Sequence, residues 1–150
     1  DEDLTQLVDD VEKYLEIERK NNGPYIKFWE SLKHVVSSER KNRMKKETTL
    51  HKSVLNDVKS LFIGKTSEEL LALRNDIRKS IKEGQRSDVE YWELMEKEVD
   101  LEYSRSIIRL IHQDLLAKQI GALTRLREEA LKRSNNRNQN NDDDNDDSNN

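Results

Sequence analysis

Apolar side chains return every three or four positions along most of this chain, the spacing that lines them along one side of a helix. Leu4, Leu7, Val8, Val11, Tyr14 and Leu15 make the first such run, and Gly23-Pro24 ends it. The pattern predicts a helix over about residues 3–20. Tyr25, Phe28, Trp29, Leu32, Val35 and Val36 resume the period. They predict a second helix over about 24–45, with Pro24 in a first turn where its missing N–H would have no helical partner anyway. Leu50, Val54, Leu55, Val58, Leu61 and Phe62 mark a third apolar face that stops at Gly64, a residue free to enter the left-handed region. Thr66 then reads as an N-cap whose hydroxyl accepts the amide of Glu69 while that carboxylate reaches back. Leu70, Leu73, Ile77 and Ile81 follow on one stripe, and Gly84 closes the fourth helix. Ser87 or Asp88 can cap a fifth, on which Val89, Trp92, Met95, Val99 and Tyr103 share a face that Ile107, Leu110, Ile111 and Leu115 extend. The expected architecture is all-α, about five helices in a small bundle, with a long last helix that outruns the core and projects. Gly121 leaves its further path open.

The pattern stops at the C-terminus. Residues 134–150 hold eight Asn and five Asp and no apolar side chain. Such a segment cannot offset the entropy of folding and reads as a disordered tail. The expected division is therefore a helical domain over 1–133 and a tail over 134–150. Composition agrees with slim packed helices rather than a thick sheet domain: 39% of residues are charged, 33% are hydrophobic and the mean hydropathy is -1.05.

Charge changes the picture more than composition does. Of 27 basic and 31 acidic residues, all but one base and five acids lie before residue 134, so the helical part is neutral overall yet unevenly divided. Residues 1–18 carry eight acids against Lys13 alone, a local charge of -7. Residues 33–52 carry Lys33, Arg40, Lys41, Arg43, Lys45, Lys46 and Lys52 against Glu39 and Glu47, a local charge of +5. Opposite signs of this size favour mutual attraction and charged partners. The absence of Cys removes disulfides and thiolate zinc sites and suits a reducing compartment. No stretch approaches the roughly 20 apolar residues of a membrane span, so no membrane partner is expected. The opening residues Asp1-Glu2-Asp3 lie directly inside an amphipathic pattern, as expected for a piece of a longer chain.

Candidate chemistry is sparse. Gly64-Lys65-Thr66 ends like a phosphate-binding loop, but the required second Gly five positions earlier is Lys59, and a helical period stands where a strand should precede it. His34, His51 and His112 form no i, i+4 pair and have no Cys beside them, so no tetrahedral metal set is formed locally. The carboxylates of Glu68, Glu69, Glu93, Glu96 and Glu98 read as wet helix faces, and no Ser/His/Asp arrangement is defensible. The residues point to a chain that is not an enzyme, takes no cofactor and no small-molecule substrate, and works by binding macromolecules. Candidate contact residues are the bulky aromatics Phe28, Trp29, Tyr91 and Trp92, the basic run Arg40, Lys41, Arg43, Lys45 and Lys46, and Lys65 on the turn before the fourth helix. Trp29 and Trp92 are expected to pack in the core and hold the helices in register. Neighbours on a helix lie ~100° apart, so one of Tyr91 and Trp92 should be partly exposed. The basic run lacks the interleaved aromatics of a base-stacking surface, which leaves a solvated linker and a docking loop for RNA or an acidic protein as competing readings.

Several strings are familiar: Tyr14-Leu15-Glu16-Ile17-Glu18, Phe28-Trp29, Asp57-Val58 through Phe62-Ile63-Gly64-Lys65-Thr66, Tyr91-Trp92, and His112-Gln113-Asp114-Leu115-Leu116. Together they resemble the conserved middle region of the cactin family, from about Leu4 to Leu116. The most specific piece is Val58-x-x-x-Phe62-x-Gly64-Lys65-Thr66 followed by Tyr91-Trp92. The resemblance implies a nuclear protein that associates with spliceosomal proteins and supports pre-mRNA splicing. It implies a second theme as well, an adaptor in Rel/NF-κB signalling that binds an IκB-like ankyrin-repeat protein. On this reading the chain is a scaffold module, with direct RNA binding through the basic 33–52 segment as the alternative from another class.

Overall fold

A computed structural model of the chain describes residues 2–44, 49–84 and 88–143, the side chains of 49–54 and 138–143 excepted. The chain is all-helical over these residues, in the order α1 (Glu2–Lys20), α2 (Ile26–Met44), α3 (Thr49–Ser60), α4 (Ser67–Lys82) and α5 (Val89–Asp143). It divides into two units, Asp1–Ile111 and His112–Asn150.

Several boundaries in the first unit have a chemical cause. α1 ends in a Schellman motif: the Gly23 amide donates to the Glu18 carbonyl at 2.9 Å, the Asn22 amide donates to that of Arg19 at 3.3 Å, and Asn22 takes the left-handed conformation at φ 48°. The residue with positive φ is thus Asn22, whose short polar side chain tolerates it, and Gly23-Pro24 belongs to the turn. The Glu18 carboxylate accepts the Tyr25 amide at 2.9 Å, just ahead of α2. It lies where a Cβ on residue 23 would stand, so Gly23 makes room for this contact. α2 accordingly starts at Ile26, two residues later than the pattern predicts. α3 tightens into a turn over Leu61–Gly64, with the amides of Leu61, Phe62 and Ile63 each bonding three residues back and Gly64 at φ 77°. The expected capping box opens α4: Thr66 Oγ1 accepts the Glu69 amide at 3.2 Å, and the Thr66 amide donates to Glu69 Oε2 at 2.7 Å. Asp88 caps α5 by accepting the Tyr91 amide at 3.1 Å, and Ser87 lies outside the described residues.

The core of this unit is a cluster of Val58 and Phe62 from the third segment, Leu70 and Ile77 from α4, and Met95 and Val99 from α5. Leu70 and Val99 are wholly enclosed. α1 and α2 form a helical hairpin that buries Val8, Val11, Leu15 and Val36. Lys33 meets Glu12 at 2.9 Å and Arg19 meets Glu30 at 2.6 Å across it, contacts that advance in opposite directions along the two helices and fix them as antiparallel. His34 Nδ1 and Ser104 Oγ, 2.8 Å apart, link α2 to α5.

Two expectations about burial need correction. Leu7, Tyr14 and Leu61, read from the period as inward-facing, are exposed. Leu61 falls in the turn beyond the end of α3, and Leu7 and Tyr14 lie at the edge of an apolar arc wider than one neighbouring helix can cover. Trp29 and Trp92 are half-buried rather than enclosed: Trp92 packs against the outside of the core cluster, as does its neighbour Tyr91. Both members of that pair share the exposure, through an edge-to-face contact with ring centroids 5.3 Å apart.

In the second unit helical backbone continues past Gly121 and through Asp143. Leu116, Ile120, Leu123, Leu126 and Leu131 are exposed on it. Of the expected tail, 134–143 is helical and 144–150 lies outside the described residues.

Candidate interaction surface

The α1–α2 hairpin assembles a surface from residues that the sequence holds eleven or more positions apart. Tyr14 on α1 stacks on Trp29 of α2 with centroids 5.0 Å apart and planes 12° from parallel, and Phe28 meets Trp29 edge-on at 5.2 Å. Stacked and edge-to-face pairs of this kind stabilise by about 0.5–1.5 kcal/mol beyond the area they bury. Trp29 and Phe28 are half-buried, so the cluster is anchored at its base and open at Tyr14, which is 56% exposed.

Antiparallel packing also sorts the charges. The acidic first turn of α1, Glu2 and Asp3, lies at the same end of the hairpin as the basic last turn of α2, Lys41 and Arg43. Each sits at the helix terminus where the peptide dipole favours it. Lys33 and Glu12 show that the two segments of opposite sign do meet, although only at that position among the described residues. Arg43 turns instead to Glu39 on its own helix at 3.2 Å. Arg40 is half-buried, Lys41 and Lys65 are exposed, and Lys45 and Lys46 lie outside the described residues. The candidate cations therefore do not converge on one spot. Lys20 donates to Glu16 and lowers its pKa from 4.5, a solvent-exposed pairing along α1.

A second surface lies along α4 and α5, and sequence reasoning missed it. Arg74 Nη1 meets Asp100 Oδ1 at 2.7 Å, Arg78 Nε meets Glu96 Oε1 at 2.5 Å and Arg78 Nη2 reaches Asp100 Oδ2 at 3.6 Å. The Arg74 guanidinium stands 5.1 Å from the centre of the Tyr103 ring. The hydrogen bond that Arg78 donates to Glu96 is the largest influence on the guanidinium and raises its pKa further. The available signal was a matched pair of i, i+4 rows, Arg74/Arg78 against Glu96/Asp100, which needs only an antiparallel partner to become a lattice. Nearby, a groove of about 300 Å³ is lined by Lys27, Ser67, Glu68, Leu71, Tyr103 and Ile107 together with Leu110 and Ile111. Glu68 beside it has a pKa lowered from 4.5, first by its own backbone amide and then by the Thr66 and Ser67 hydroxyls.

No group of three or more His, Cys, Asp or Glu among the described residues is placed to hold a metal ion. No helix among them is long and apolar enough to cross a membrane. The geometry offers an aromatic cluster, charged helix ends and a groove.

Residues 1–112 match the model of the conserved mid region of cactin, a span that nearly coincides with the first structural unit. The chain is 28% identical over 146 residues to the splicing factor Cactin of Arabidopsis thaliana, covering 84% of this chain and 20% of that protein. It is 30% identical over 129 residues to the zebrafish (Danio rerio) splicing factor Cactin, covering 79% and 15%. With the human (Homo sapiens) splicing factor Cactin it shares 28% over 129 residues, covering 79% and 17%. The chain thus spans about a fifth or less of the length of these relatives. No solved structure matches it. The chain belongs to the cactin family, and its first unit is that family's conserved mid region.

Proposed function

We propose that this chain is a non-catalytic scaffold module of a nuclear, cactin-like factor that associates with the spliceosome and supports pre-mRNA splicing. The observation that carries the reading is the hairpin surface. An aromatic cluster is fixed at its base by Trp29 and Phe28 and open at Tyr14, and the far end of the same hairpin carries helix ends of opposite charge. Interface anchors are typically large aromatic groups held rigid by their surroundings, and a charged rim selects the partner and speeds encounter. The relatives named splicing factor Cactin supply the process in which such a module would act.

Crosslinking mass spectrometry on the full-length protein in nuclear extract tests this reading. Lys33, Lys41 and Lys65 are expected to crosslink to proteins of the assembled spliceosome, and the crosslinks should vanish when assembly is blocked. Crosslinks confined to proteins outside that assembly would refute it. Measurable hydrolysis of a nucleoside triphosphate by the purified chain would refute the non-catalytic part.

A second reading, direct RNA binding, rests on the exposed cations Lys41 and Lys65. It requires affinity for single-stranded RNA that falls with salt with a slope of about -0.7 per phosphate neutralised. That affinity must also weaken when Lys41, Arg43, Lys45 and Lys46 are neutralised together.

A further inference from the structure

α1 carries a second apolar line besides the one it buries. Val8, Val11 and Leu15 face the rest of the hairpin and are enclosed, while Leu7, Tyr14 and Ile17 are 43%, 56% and 52% exposed. Asp3, Leu7, Asp10, Tyr14 and Ile17 recur at four- and three-residue intervals, so they share one edge of the helix, on which two carboxylates are interleaved with the apolar groups. Isolated exposed apolar residues need no explanation, but three on one edge, with an aromatic ring stacked upright on Trp29, form an unpartnered face. α1 itself is strongly negative up to Glu18, most bases of the hairpin lying on α2 and in the last turn of α1. Residues 1–18 sum to -7, and Glu2, Asp3 and Asp9 make no ion pair among the described residues.

Charge decides among possible occupants. A nucleic acid or an anionic lipid surface would be repelled, and a second copy of the chain would bring the same acidic edge against this one. A basic protein segment is complementary. Its side chains also suit the apolar positions, because long cationic residues lay their methylene stems on apolar surface while the charged head stays in water. Arginine fits better than lysine, since a flat guanidinium stacks on the open face of Tyr14 and forks onto a carboxylate.

We infer that this edge of α1 is a docking site for an arginine-bearing basic segment of a protein partner, with the guanidinium stacked on Tyr14 and the stems along Leu7 and Ile17. The inference deepens the scaffold reading by naming the partner chemistry of the hairpin surface, and it rests on that reading.

The test titrates the 150-residue chain with nona-arginine and with nona-lysine by isothermal calorimetry at low and moderate salt. Nona-arginine is expected to bind more tightly than nona-lysine. Tyr14→Ala should weaken the arginine peptide by about two- to fivefold, the range of an exposed cation–π contact, and Tyr14→Phe should retain its affinity. Asp3→Asn with Asp9→Asn should weaken both peptides alike and flatten the salt dependence. Circular dichroism of each variant establishes that its helices are intact. Equal affinity for the two peptides, or an arginine affinity indifferent to Tyr14→Ala, overturns the inference. So does a chain that dimerises in solution and is made monomeric by Leu7→Ser. None of these results touches the crosslinks to the spliceosome, so this docking site can fail while the scaffold reading stands.

Discussion

Removing Asp100 should damage the fold, because two arginines of another helix, α4, converge on it. Asp100 accepts from Arg74 at 2.7 Å and lies 3.6 Å from Arg78, and the Arg74 and Asp100 side chains are 20% and 28% exposed. At an effective dielectric near 20, two unit charges about 4 Å apart attract by roughly 4 kcal/mol, from which partial desolvation of both ions must be subtracted. Arg74 also buries its Nε without a protein partner, which reduces what the pair returns. A charge-assisted hydrogen bond of this kind contributes about 1.5–3 kcal/mol net. Asp100→Ala is therefore expected to cost about 2–3 kcal/mol, leaving Arg74 half-buried and unpaired against Tyr103. Arg74→Ala should cost a similar amount, part of it lost packing on the ring. The double variant should cost less than the sum by about 1–2 kcal/mol, since the second substitution removes a charge the first has already orphaned. Urea denaturation followed by circular dichroism measures all four corners of the cycle. Repeating it at high salt should shrink the coupling only slightly, whereas exposed pairs such as Lys13–Asp10 contribute within about 1 kcal/mol and are screened. Additivity within about 0.3–0.5 kcal/mol would refute the reasoning and reduce the lattice to a surface coincidence.

Three further outcomes follow from the same structure. Leu70→Ala, at a wholly enclosed position, should cost about 2–5 kcal/mol and lower the melting temperature of the first unit by ten degrees or more, while Leu61→Ala in the exposed turn should stay within about 0.5 kcal/mol. Thr66→Ala should cost about 1 kcal/mol through the lost cap. It should also raise the lowered pKa of Glu68: that carboxylate favours folding above its unfolded value of 4.5 and ceases to do so as pH falls through the folded value, and a carboxyl-resolved NMR titration of both proteins would show the shift. Gly121→Ala should stabilise the helix of the second unit by about 0.5–1 kcal/mol, since a Cβ there meets nothing within 4 Å, and loss of ellipticity instead would place a break at that residue.

The helices are legible where period and turn chemistry agree, as at the starts of α4 and α5 and at the glycines after α3 and α4. Thr66 with Glu69, Asp88, Gly64 and Gly84 are local signals whose geometry depends on few residues beyond themselves. Burial was less legible, and α1 shows why. Leu4, Leu7, Val8, Val11, Tyr14 and Leu15 fall within one apolar arc, yet a single neighbouring helix covers only part of it, so which edge stays wet is decided by a packing angle that no local pattern encodes. Size misled in a similar way. Trp29 and Trp92 were expected inside because they are large and apolar, whereas a ring of that area more readily caps the margin of a small core whose centre is filled by Leu70, Ile77 and Val99. Contacts such as His34 with Ser104, seventy positions apart, left no mark that a single sequence can show.

The same mismatch between apolar arc and available cover accounts for the binding surface. With 33% hydrophobic residues spread over long helices, the chain has more helical face than it has neighbours to pack against. The first unit encloses one compact set of side chains and leaves Leu7, Tyr14 and Ile17 on one edge of α1, and within the second unit Leu116, Ile120, Leu123, Leu126 and Leu131 are exposed. In an isolated monomer such faces favour aggregation, and on α1 the dense charge of residues 1–18, -7, opposes it by repelling a second copy. Charge of one sign therefore does two things at once on α1. It keeps like surfaces apart and it selects a partner of opposite sign, so neutralising Asp3 and Asp9 should weaken a basic ligand and promote self-association together, a pairing of effects that a purely structural role for those carboxylates would not produce.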